Sequence, residues 1–133
     1  MKRVLPTLAA ALGAMGAAEA HHSLSGVYDG SRQVTVEAVV TDFQFVNPHP
    51  FVLAEIRDRD GRARAYRFEM DNRRELIDVG ISAATFARGD RIRVTGSVGR
   101  SDETHMYVRR LERPMDGFWY EQVGYSPRVG HTR

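Results

Sequence analysis

Between residues 33 and 45 the chain reads QVTVEAVVTDFQF, with Val34, Val36, Ala38 and Val40 on every second position. An extended backbone turns alternate side chains to opposite faces, so this spacing lays the four apolar groups on one side of a strand. The phase then shifts to Phe43 and Phe45, which predicts a long strand with a β-bulge where the alternation slips. A strand of this kind needs further strands beside it, and the next residues supply them. FVLAEIRDRDGRARAYRFEM forms two β-rich runs around Asp60-Gly61. Asp-Gly suits a tight hairpin because its turn requires positive φ. Strands two and three are therefore expected over residues 51–58 and 62–70.

The character changes at DNRRELIDVGISAATFARGD. Asp71 or Asn72 can cap a short helix, Leu76 and Ile77 give it an apolar side, and Gly80 stops it. A second short turn is expected over Ser82 to Phe86. After Gly89-Asp90, RIRVTGSVG alternates again, and THMYVRRLE is its antiparallel partner across the loop GRSDE. The order strand, strand, strand, short helix, strand, strand predicts an all-β fold. It matches a small five-stranded OB-like barrel with the helix between strands three and four. A β-sandwich is the runner-up. The tail RPMDGFWYEQVGYSPRVGHTR shows turn residues and aromatics but no period. It reads as an extended segment that packs Phe118 and Trp119 on the barrel and ends in loose residues.

The first 20 residues have a different composition. MKR is a positive start, VLPTLAAALGAMGAA an apolar centre, and Ala18-Glu19-Ala20 a small-x-small cleavage site, the layout of a secretory signal. The apolar run is short of the roughly 20 residues that span a bilayer. The expected organisation is thus residues 1–20 as signal peptide, 21–112 as the barrel and 113–133 as the aromatic tail, in a periplasmic or secreted protein with no stable membrane anchor after cleavage. Cleavage removes Lys2, Arg3 and Glu19, so 19 basic and 17 acidic residues become 17 and 16. That near-neutral balance argues against nucleic acid as a partner, because phosphate neutralisation calls for concentrated positive charge. With no cysteine in the chain, thiolate chemistry, iron-sulfur clusters and cysteine-based zinc sites are excluded.

Cleavage after Ala20 makes His21 the first residue. Its free α-amine, with a reference pKa of about 7.7 to 8.0, can shed a proton to a metal near neutral pH. That amine and Nδ1 of the same ring can close on one ion, and one more imidazole completes the three-nitrogen arrangement called a histidine brace. Nitrogen ligands in planar geometry favour Cu(II), so copper is the expected cofactor. His49 in VNPHPF is the strongest partner, since Pro48 and Pro50 stiffen the loop that carries it. His22 offers a second chelate through amine, intervening amide and imidazole. The expected metal residues are therefore His21, His22 and His49. The competing reading makes His21-His22 merely the pair that adjoins a cleavage site, and His49 a turn residue bonded to the backbone. Glu69 reads chiefly as a surface carboxylate, with a role orienting a ligand as the other option. Met70 and Met106 read as core filler, and His105 and His131 carry little weight.

His21-His22-Ser23 at the mature start, VTVEAVVTDFQFVNPH with its Asn47-Pro48-His49, and GDRIRVTG occur here in that order. In these features the chain resembles a family of small exported bacterial proteins catalogued as domain of unknown function 6152. The likeness covers most of residues 21–112. Members often have Gly at Ala38 and Trp at Phe45, and the tail after Arg113 has no counterpart. The resemblance implies export and a shared fold; it implies no activity. No serine elbow, glycine-rich phosphate loop or His-Glu-x-x-His helix is present, so no catalytic residue is assigned and a binding protein is favoured over an enzyme. Three functions remain: a copper-holding protein, a metal-free module for an envelope protein or other ligand, and, ranked last, a copper oxidase or monooxygenase.

Overall fold

The computed structural model describes residues 24–124 and 126–133. The fold is all-β, with one seven-stranded sheet: β1 (Tyr28–Gln44), β2 (Phe51–Arg57), β3 (Ala63–Glu69), β4 (Arg91–Gly99), β5 (His105–Arg113), β6 (Phe118–Glu121) and β7 (Arg128–His131). A short helix, α1 (Arg73–Asp78), lies between β3 and β4. The strand order is β3-β2-β1-β4-β5-β6-β7, with every neighbour antiparallel. One further pairing, parallel, joins β3 to β5.

The long first strand serves two partners. Its C-terminal part pairs with β2 and most of its length with β4, and Val39 faces Glu55 on one side and Arg91 on the other. The register shift lies between Val40 and Asp42, where the apolar alternation slips in the sequence. A bulge bends the strand and increases its twist, so one strand can turn from one neighbour towards the next. β1 also begins at Tyr28, earlier than the alternation indicates, and a second irregularity separates Asp29 from Gln33. Between them the Asp29 carboxylate accepts hydrogen bonds from the Ser31 amide at 3.1 Å and hydroxyl at 2.7 Å. The hairpin at Asp60-Gly61 is built as its residues require, with Gly61 at φ 77°. Asp58 accepts from the amides of Asp60 and Arg62.

The inward positions of successive strands form one core: Ala38 and Val40, Val52 and Ala54, Phe68, Ile92 and Val94, Met106 and Val108. α1 starts at Asn72, whose side chain accepts from the Arg74 amide. It drives Leu76, fully buried, into the same core. Met70 and Met106 are likewise buried core residues.

Two expectations are corrected. The sheet has seven strands rather than five, and the tail is neither irregular nor loose in its last stretch. β6 pairs with β5, β7 pairs with β6, and Phe118 and Tyr120 point into the core. Four residues per strand are too few for alternation to stand out in sequence. Trp119, on the opposite face, lies under the Arg110 guanidinium at 5.6 Å.

Arg113 ties this hairpin to the turn before β4. It donates to the Thr85 carbonyl at 2.6 Å and to Asp90 at 2.8 Å, and with two nitrogens to Asp116 at 3.0 and 2.8 Å. The guanidinium also lies over Phe118 at 5.3 Å. Its hydrogen bonds, reinforced by its charge, hold the Asp116 carboxyl down at about 2. Arg113→Ala should lower stability by about 1–3 kcal/mol. Arg113→Lys should recover less than half of that, because an ammonium cannot span both carboxylates. Denaturant unfolding of the two variants measures both effects.

Candidate metal-binding cluster

The parallel register sets Arg67 opposite His105, Phe68 opposite Met106 and Glu69 opposite Tyr107. Side chains on one face of a strand pair lie within reach of one another, so the end of β3 and the start of β5 share a small polar cluster. The loop between β1 and β2 and the first residue of β1 complete it. In that loop the Asn47-Pro48 bond is cis. The loop is tied down by backbone bonds from Met70 to the Pro50 carbonyl and from Arg73 to the Pro48 carbonyl, each 2.9 Å. Arg73 also stacks on Phe45 at 4.7 Å and donates to its carbonyl at 3.2 Å.

At the centre is Glu69, whose side chain is 15% exposed. Oε1 lies 3.2 Å from Nδ1 of His49. Oε2 accepts a hydrogen bond from the Tyr28 hydroxyl and lies 3.9 Å from Nε2 of His105. Nδ1 of His49 is also 3.0 Å from the Met70 carbonyl, and Nε2 of His105 is 3.1 Å from the Tyr28 oxygen. The Tyr28 ring meets the His105 ring edge-on at 5.5 Å, and the Phe51 ring lies 6.2 Å from it. Burial, reinforced by the Arg67 charge, holds the His105 imidazole below the usual histidine range.

A second polar layer lies against this cluster. The Asp71 amide donates to the Tyr120 hydroxyl at 3.3 Å, and Gln122 donates to the Asp71 carboxylate. Burial and a hydrogen bond with Asp71 raise the Glu75 carboxyl. Tyr120 and Gln122 belong to the C-terminal hairpin segment, which therefore reaches the residues directly after Glu69 and Met70.

His49 is thus placed beside an acidic partner, and it also makes the backbone bond of a turn residue. His21 and His22 lie outside the described residues. Among the described residues, no group of three histidine or carboxylate side chains is arranged to hold a metal by itself. An ion at His49 needs further ligands from elsewhere. Glu69 is largely buried at the centre of the cluster, which corrects its reading as a surface carboxylate. Tyr28 and His105 were not singled out as partners of His49. The alternation on β3 marks Phe68 and Met70 as inward and so turns Glu69 outward. What shields that outward side is the Tyr28, His49 and His105 side chains, the last brought in by the pairing with β5, 36 residues further along, and nothing local announces that pairing. His131, given little weight, packs edge-on against Phe118 at 5.5 Å.

Residues 10–107 match the model of a family of unknown function, DUF6152. No curated protein and no solved structure matches the chain. The matched segment contains His49, Glu69, His105 and Tyr28, and stops before Tyr120 and Gln122.

Three phenols belong to this region, and burial raises all three: Tyr28, where the Glu69 carboxylate adds to the effect, Tyr107, where Asp71 does, and Tyr120. A raised pKa in the folded chain means that the unfolded chain releases these protons first. Stability is then full below the ordinary tyrosine value of about 10 and falls as pH rises above it. An alkaline titration followed by phenolate absorbance should show these phenols ionising together with loss of the fold, whereas in denaturant they ionise near the ordinary value.

Proposed function

We propose that this chain, which belongs to the family of unknown function DUF6152, is an exported protein that binds copper through its processed N-terminus and His49. Its folded part is read as an OB-like barrel of β1 to β5, and the added hairpin of β6 and β7 extends the sheet. The β3–β5 pairing and the helix between β3 and β4 support that reading.

The observation that carries the copper reading is the state of His49. A carbonyl only accepts, so the hydrogen bond to Met70 puts the ring proton on Nδ1. The electron pair is then on Nε2, and the ring is 21% exposed. A metal-binding histidine commonly donates its other N–H to a carbonyl or carboxylate in this way. The missing ligands are the amine and ring of His21, with the His21-His22 amide and the His22 ring as the second chelate. His21 stands three residues before Leu24, a reach of at most about 10 Å for extended chain. Residues 24–27 form one helical turn leading directly into Tyr28, whose hydroxyl is bonded to the carboxylate beside His49.

The metal-free alternative has its own support. An open groove of about 730 Å³ is lined by Ala38, Val39, Ile92 and Met115 with the charged residues Glu37 and Arg93. This surface suits an envelope partner or another ligand.

Cu(II) titration of the exported, processed protein separates the two. The expected result is one bound equivalent, with His49→Ala weakening it by more than the roughly 10- to 100-fold that loss of an orienting partner causes. One extra residue before His21 should weaken it comparably, because it removes the chelate of amine and ring. His22→Ala should cost little if the brace forms, and much if the second chelate does. Unchanged affinity in His49→Ala and in the extended chain would sink the copper reading in favour of the module.

A further inference from the structure

Tyr28 has a single hydroxyl proton, and it goes to Oε2 of Glu69, because an ionised carboxylate accepts only. At 3.1 Å from the Tyr28 oxygen, Nε2 of His105 must then be the donor. In a neutral His105 the electron pair is on Nδ1. His49 has the opposite arrangement: Nδ1–H is donated to the Met70 carbonyl at 3.0 Å, with Oε1 of Glu69 3.2 Å from the same nitrogen. Among the described residues, no hydrogen bond engages Nε2 of His49 or Nδ1 of His105.

We infer that Glu69 is the positioning residue of this site: its Oε2 takes the Tyr28 proton and so leaves His105 as the Nε2–H donor, and its Oε1, 3.2 Å from Nδ1 of His49, favours the Nδ1–H form that the Met70 carbonyl requires, so that Nε2 of His49 is the nitrogen offered to a metal. His105 is turned the other way, its Nε2–H spent on Tyr28, and it serves as an outer support rather than a second ligand. This deepens the copper reading and rests on it only for the affinity arm of the test. The carboxylate also places a negative charge beside the ligating ring, which increases its basicity towards a cation. The arrangement depends on Tyr28 and Glu69 being largely buried, 3% exposed for the tyrosine and 15% for the carboxylate side chain. Water therefore competes poorly for either hydrogen bond.

The test uses the full processed chain without metal, with correlation of imidazole nitrogens and ring protons by NMR. The expected result is Nδ1–H for His49 and Nε2–H for His105. Tyr28→Phe should free His105 to exchange tautomers and leave His49 as it is. Glu69→Gln, nearly isosteric, should loosen the preference of His105 most and that of His49 less, because the Met70 carbonyl still takes the Nδ1 proton. Nε2–H on His49, Nδ1–H on His105, or tautomers unaffected by Glu69→Gln would overturn the inference. With Cu(II), Glu69→Gln should lower affinity roughly 10- to 100-fold in the parent chain and have no further effect in a His49→Ala background. An equal loss in both backgrounds would assign Glu69 a merely structural role. If the parent chain binds no copper, the copper reading fails while the NMR arm still decides the tautomers.

Discussion

The parallel pairing of β3 with β5 is the contact on which the molecule depends. It links strands that are far apart in sequence and closes the order β3-β2-β1-β4-β5 on itself. Phe68 and Met106, opposed in this register, are both fully buried. The same three-residue register brings the outward carboxylate of Glu69 beside the start of β5. One set of backbone hydrogen bonds thus completes the apolar core on one face and assembles the polar cluster on the other. Long-range pairing of this kind is costly in chain entropy until it forms. The apolar surface buried at Phe68 and Met106 is what offsets that cost.

The cluster is a rigid object because each of its parts is held from outside. The His49 loop is pinned by Met70 and Arg73. Asp71, next in the chain, is held by Tyr120 and Gln122 from the C-terminal hairpin. The family match ends at residue 107, so this support comes from a part of the chain beyond what the family model covers. A preorganised imidazole loses little entropy on binding, so the pinned His49 loop favours tight binding under the copper proposal.

Much of the fold was legible because its signals are local. Alternation located β1, β2, β3 and β4, the phase slip between Val40 and Phe43 located the bulge, and Asp60-Gly61 located the hairpin. Asn72, Leu76 and Gly80 marked α1. β6 and β7 were not legible: FWYE and RVGH are too short to show a period, and only their pairing with β5 and with each other makes them strands. Tyr28 was missed because Asp29-Gly30-Ser31-Arg32 interrupts the alternation before Gln33, where the strand leaves its register with β4. His49 was found through its flanking prolines. Glu69 was named only as a second option to a surface carboxylate, and Tyr28 and His105 were not found, since all three come to this site through strand pairings separated by 20 residues or more. His21 and His22 were read from the cleavage pattern and lie outside the described residues.

In the proposed site, Nε2 of His49 is a copper ligand together with the residue that processing exposes. Crystals of the exported protein soaked in Cu(II), measured at wavelengths on either side of the copper absorption edge, test this most directly. The expected result is one anomalous peak within bonding distance of Nε2 of His49 and of the His21 amine. A peak at Nδ1 of His105, at a surface carboxylate, or nowhere in the molecule would contradict it.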